Sequence, residues 1–236
     1  GMGLNAYEYQ CGRGVNIGEQ TAVLLAKNAV RHGVAISMHA PYYISLASDD
    51  LQKRENSIRY IFQSARAVKW MGGDRIVVHP GGLGGLSREQ ATEIACDTLK
   101  RAQAYLDEQG LSDIHICPET MGKRNQLGDL DETLTFCQID DRFLPCIDFG
   151  HLNSRTGGQV NTHEQFADVI DKVADRLGEQ RARCMHIHFS KIEYTDAGEK
   201  KHLTFDDKLF GPHPEPLMKP MAQRGMTPVV ICESRG

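Results

Sequence analysis

Residues 75–82 read Arg75-Ile76-Val77-Val78-His79-Pro80-Gly81-Gly82. The Ile76-Val77-Val78 core of this run is β-branched, too short for a helix, and apolar on both faces, as a strand buried in a parallel sheet requires. Pro80 and the two glycines stop it, and its last side chain before the stop is an imidazole. The same arrangement recurs along the chain. A run at 34–40 closes on His39-Ala40-Pro41, one at 114–119 on Glu119-Thr120, and one at 145–148 on Asp148-Phe149-Gly150-His151. A run at 184–189 carries His186 and His188, and one at 228–233 closes on Glu233. With a further run at 6–10, seven strands are expected.

Amphipathic stretches fill the intervals, at 19–32, 51–71, 88–109, 130–136, 163–178 and 215–224. Ser87 precedes Gln90 by three residues and Thr162 precedes Gln165 by three, the spacing of a capping box. Gly33, Gly72-Gly73, Gly110 and Gly225 mark helix stops. Strand–helix alternation with short links implies an α/β fold with a parallel sheet. The expectation is a TIM (β/α)8 barrel in one domain spanning 1–236, read here as lacking its first βα unit and its last helix, because seven strands and six helices fall short of eight of each.

Size and composition fit one globular domain: 236 residues, 40% hydrophobic and 25% charged. No apolar run approaches the roughly 18 residues of a membrane span, and Gly1-Met2-Gly3 has none of the features of a signal peptide. No membrane and no obligate protein partner are expected. The seven cysteines form no C-x-x-C pair. They read as buried reduced thiols, Cys117, Cys146, Cys184 and Cys232 among them, which points to the cytoplasm. A net charge of −4 neither suggests nor excludes a nucleic-acid partner; a non-specific binder usually carries a basic patch, and the sequence has no dense basic run.

The polar residues carry the function. Catalytic side chains of a barrel sit at the C-terminal strand ends, and six consecutive strands here finish on, or carry near their ends, a residue able to bind metal. Several carboxylates crowded into a barrel mouth repel one another and are costly to desolvate, so bound cations would relieve them. Imidazole mixed with carboxylate, without thiolate, suits Zn²⁺, Mn²⁺ or Fe²⁺ in a catalytic site. The candidates are His39, His79, Glu119, Asp148, His151, His186, His202 and Glu233. One zinc needs three protein ligands and a water, so eight candidates imply two or three ions.

Six segments resemble the endonuclease IV family, the zinc-dependent apurinic/apyrimidinic endonucleases among the xylose-isomerase-like TIM barrels. They are Ser37-Met38-His39-Ala40-Pro41-Tyr42, Val77-Val78-His79-Pro80-Gly81, Pro118-Glu119-Thr120, Ile147-Asp148-Phe149-Gly150-His151, Met185-His186 with Ser190-Lys191, and Cys232-Glu233. The resemblance implies that His39 and His79 hold a first metal with Glu119 bridging to a second. Asp148, His186 and Glu233 complete the second, with Glu119 and Glu233 as the catalytic carboxylates. His151 and His202 hold a third, together with an Asp two residues before the second His. Here that place is Lys200, and an ammonium cannot ligate a metal; Glu193, Asp196 and Glu199 lie in the same loop. His188 shares the strand parity of His186 and could take over its role. The implied reaction is hydrolysis of DNA 5′ to an abasic site, a DNA-repair activity, using metals about 3.5–4 Å apart. Asn125, Arg155, Arg13 and the loop 189–213 are the candidate DNA contacts.

Three alternatives stand beside this reading. A sugar isomerase or epimerase of the same superfamily needs one Mn²⁺ or Mg²⁺, for which Glu119, Asp148, His186 and Glu233 suffice; its substrate would be a small sugar. A phosphatase acting on small sugar phosphates would use the same metals as the main reading. A non-catalytic relic that binds a metabolite is the third. Gly81-Gly82-Leu83-Gly84-Gly85 lacks the ending of a phosphate loop and reads as close backbone approach. Trp70 and the aromatics of 58–62 read as core, and Tyr42-Tyr43 as either packing or substrate-facing.

Overall fold

The computed structural model describes residues 3–234; Gly1 and Met2, the first residues of the N-terminal stretch that lacks signal-peptide features, lie outside them. Among the described residues the chain divides into two compact units, 3–118 with 139–143, and 119–138 with 144–234.

The first unit is a parallel sheet in the order β1 (Ala6–Gln10), β2 (Ala35–His39), β3 (Arg75–Val78), β4 (His115–Pro118), joined by α1 (Glu19–His32), α2 (Leu51–Trp70) and α3 (Arg88–Glu108). All four β3 residues are buried, as the two-faced apolar run requires. The helices cover the sheet with alanines and aliphatics: Ala22 and Ala29 from α1, Ile61, Ala65 and Val68 from α2, Ala95, Leu99 and Leu106 from α3. Each buried Ile, Val or Leu contributes about 1.5–3 kcal/mol. Gly33 ends α1 in the left-handed region at φ 62°, and the Ser87–Gln90 capping box starts α3. Trp70 is only half-buried; the Arg66 guanidinium lies over its ring and that of Phe62, so it is a rim residue and not core.

The second unit is a parallel sheet in the order β5 (Cys146–Asp148), β6 (His186–Phe189), β9 (Val229–Cys232), with α4 (Leu130–Cys137), α5 (Phe149–Arg155), α6 (His163–Leu177), α7 (Glu179–Cys184) and α8 (Glu215–Gln223). An antiparallel hairpin, β7 (Lys191–Thr195) and β8 (Gly198–Leu203), stands apart from that sheet. All seven expected parallel strands are present, and α3 and α6 begin with the capping boxes read from the sequence.

Three elements differ from expectation. The hairpin was not expected, nor were α5 and α7. The strand read from 184 begins at His186, because Arg181, Arg183 and Cys184 continue α7. None of the cysteines forms a disulfide among the described residues, but Cys184 is half-buried and Cys232 exposed. No helix among the described residues is long and apolar enough to cross a membrane.

Candidate metal centre

In the first unit, β2 and β3 run in register with His39 opposite Val77. His79 follows two residues after Val77 and therefore points to the same side as His39. The two Nε2 atoms lie 3.1 Å apart and the rings meet edge to face. His39 donates its Nδ1–H to Ala40 O at 2.9 Å, which leaves a lone pair on its Nε2. Two imidazole nitrogens bound to one tetrahedral zinc at roughly 2.0–2.1 Å would be about 3.3 Å apart, so the pair already has the spacing of two ligands on one ion. Gly81, with φ 90°, places its Cα where an added Cβ would meet Ser45 Cα at 2.9 Å, the close backbone approach expected of the glycine-rich stretch.

In the second unit, four residues converge. Glu119, Asp148, His188 and Glu233 each offer a donor atom within 4.8 Å of the others. Glu119 and Asp148 are fully buried. His188 Nδ1 is 2.9 Å from Glu119 Oε1 and 3.5 Å from Glu233 Oε2. Asp148 caps α5, its Oδ1 accepting from the His151 backbone N–H at 2.8 Å. Its Oδ2, also buried, accepts no hydrogen bond among the described residues and lies 3.3 Å from His151 Nδ1. Burial raises the Asp148 carboxyl above the usual carboxylate range; His151 opposes this, while Glu119 and Glu233 add to it. Three carboxylates and an unsatisfied buried oxygen around one point fit a divalent cation.

A third group lies beside the second. His151, Glu199 and His202 also offer donor atoms within 4.8 Å of one another. His151 donates Nδ1–H to Thr120 O at 2.9 Å and turns Nε2 to Glu199 Oε2 at 3.4 Å. His202 places Nδ1 3.0 Å from Glu233 O, to which it donates, and its Nε2 faces Glu199. Burial by itself would lower the His151 pKa, but Asp148, Glu119 and Glu199 together raise it to about 10: the surrounding charge favours a cation strongly. Thus His39, His151 and His202 are each held by a carbonyl at Nδ1 and present Nε2, the arrangement that fixes tautomer and direction in metal-ligating histidines.

Glu199 reaches this group because of a bulge. On β8, Glu199 faces Tyr194 and Lys201 faces Glu193, so Lys200 is the extra residue with no opposite number. The extra residue inverts the alternation, bringing Glu199 to the side of His202, and Lys200 pairs with Glu193 instead. Close packing fixes the position. Gly198, φ 93°, leaves room for Gly122 O, which a Cβ there would meet at 2.2 Å, and Glu199 N–H donates to the same oxygen.

Seven of the eight sequence candidates therefore fall into these groups, and His186 does not. Asp148 pairs in register with His188, while His186 pairs with Cys146 one layer deeper, so His188 occupies the place expected for His186. Other expectations change too. The Arg155 guanidinium donates to Met121 O, Lys123 O and Gln126 O, tying a loop rather than presenting charge. Asn125 and Arg13 are exposed. Tyr42 and Tyr43 are about half exposed, their rings 4.3 Å apart.

The family described as xylose isomerase-like TIM barrel matches residues 1–236. The chain belongs to that family. The TIM-barrel class expected from the strand–helix alternation is that of this family. An uncharacterized protein of Methanocaldococcus jannaschii is 34% identical over 99% of this chain and 83% of its own length. A probable endonuclease 4 of Mycoplasma pneumoniae is 27% identical over 84% of this chain, which spans 66% of that relative. Among solved TIM-barrel structures, a D-tagatose 3-epimerase-like protein superimposes with a TM-score of 0.76 at 19% identity, covering 98% of this chain and 83% of its own. A probable endonuclease and an epimerase-like protein are thus both among the proteins similar to this one.

Proposed function

We propose that this barrel is a metal-dependent phosphodiester hydrolase of the endonuclease IV type, cleaving DNA 5′ to abasic sites with zinc ions. The observation that supports it is ligand number. A single ion is served by Glu119, Asp148, His188 and Glu233; the His39–His79 pair of the first unit and the His151–Glu199–His202 group of the second are donors beyond those that one metal needs. Bound ions of this class supply Lewis-acid activation of water and screening of phosphate charge, which is why no protein nucleophile is required.

The chain's own residues position the donors. Thr120 acts on two ligands at once: its carbonyl accepts from His151 Nδ1–H and its Oγ1 accepts from the Asp148 backbone N–H at 2.9 Å. Glu233 holds a ligand position with its carboxylate and orients His202 with its backbone carbonyl. Glu119 anchors His188. An abasic nucleotide is the cheapest to extrude from a duplex, because its base is already absent. Cysteines that form no disulfide among the described residues fit a cytoplasmic enzyme.

The second reading is a one-metal sugar epimerase. It is favoured by the composition of the Glu119–Asp148–His188–Glu233 group, two Glu, one Asp and one His, and by the epimerase-like structural neighbour. Incubation with a duplex carrying one abasic site decides between them. The hydrolase nicks the strand 5′ to that site in a chelator-sensitive way; an enzyme that leaves the duplex intact and interconverts ketoses at C3 is the epimerase.

A further inference from the structure

Below the Glu119–Asp148–His188–Glu233 group lies a second set of donors that the proposed chemistry does not use. Cys146 and His186 are adjacent on β5 and β6, paired in register one layer beneath the Asp148–His188 pair. Side chains two residues apart on a strand share a face, so the four form two stacked layers. Cys146, His186 and His188 are all fully buried. Each offers a donor atom within 4.8 Å of the other two, and the two imidazole rings stand 5.0 Å apart at 74°.

We propose that Cys146, His186 and His188 form a second, thiophilic metal site for ions such as Cd²⁺, Zn²⁺ or Cu⁺. One thiolate and two imidazoles are the donor set that soft and borderline ions prefer, and hard Mg²⁺ or Mn²⁺ has no reason to leave the carboxylates above for it. Coordination converts the Cys146 thiol to thiolate and releases one proton per ion bound. His188 belongs to both layers. An ion in the lower site draws on the imidazole that the upper carboxylates also use, so filling the lower site weakens metal binding in the upper one. The lower site stands on geometry alone; its inhibitory effect also rests on the hydrolase reading.

Titration of the whole protein with Cd²⁺ alone, followed by the near-ultraviolet thiolate-to-metal charge-transfer band, tests the site. The expected result is a saturable band in the wild type that is lost in Cys146→Ser and in His186→Gln and kept in Cys232→Ser and Glu119→Gln. Absence of a band in the wild type overturns the proposal, as does a band of undiminished size in either Cys146→Ser or His186→Gln. Because His186→Gln keeps every cysteine, loss of the band there cannot come from removing a thiol. Nicking or its absence is read separately, so failure of the hydrolase reading leaves this result intact.

Discussion

Glu199 Oε2 lies 3.4 Å from His151 Nε2, although Glu199 stands one place before the position where the resemblance puts a ligand. The bulge at Lys200 accounts for the offset: an extra residue in β8 shifts the alternation by one, and a glutamate is delivered where an aspartate two residues before His202 would otherwise be. The lysine that casts doubt on the third ion in the sequence is turned away to Glu193.

Glu199→Gln is therefore expected to lower the metal content by one ion per chain while leaving the fold intact, and Lys200→Ala to leave the content unchanged. Elemental analysis of the two purified variants checks both. A loss of metal on removing Lys200, with none on changing Glu199, would reverse the assignment.

His188, and not His186, is the imidazole of the carboxylate group. His188→Gln is expected to weaken the ion held there by more than the roughly 10–100-fold typical of an outer-shell partner. In His186→Gln, affinity at that group stays near wild type. Competition of each variant with a chromogenic chelator for zinc measures the difference.

Much of this was legible in the sequence. The strand ends of 34–40, 75–79, 114–119 and 228–233 announced themselves because β-branched runs stop at Pro, Gly or a charged residue. The hairpin was not read, although Thr195-Asp196-Ala197-Gly198 carries a turn signal between two strand-like runs; three charged residues in a row at 199–201 masked the alternation. The bulge leaves no mark in composition. The choice between His186 and His188 depends on the register with β5, a one-layer difference that parity cannot resolve. Arg155 looked like a phosphate contact because a guanidinium satisfied by three carbonyls and one facing solvent are the same residue in a sequence.

Arg155→Ala is expected to destabilise the protein by about 1–3 kcal/mol, since three carbonyls lose a charged donor. It should not reduce the salt dependence of binding to duplex DNA, which counts phosphate contacts. Denaturant unfolding and a salt series on the same variant separate a tie from a contact; a salt slope reduced by about one would favour the contact.

Acid stability has a traceable source in the first unit. The Arg142 guanidinium beside Asp107, at 2.6 and 3.1 Å, holds that carboxyl down to about 2. A depressed pKa stabilises the fold at pH values above the ordinary carboxylate range, and the contribution disappears as pH falls through about 2. Asp107 is 40% exposed, so solvent screening limits the effect to about 1 kcal/mol. Asp107→Asn should therefore cost about that much at pH 7 and only a small fraction of it near pH 2, as urea midpoints at the two pH values would report. An equal cost at both would assign the effect to packing.

The number of ions bound per chain bears most directly on the account, because hydrolysis was inferred from ligands beyond those one metal needs. Elemental analysis of zinc-loaded protein, with Cys146→Ser used as the background so that the lower thiolate site does not contribute, should find two or three ions per chain. A single ion per chain in the same background contradicts the account and leaves the one-metal reading in its place.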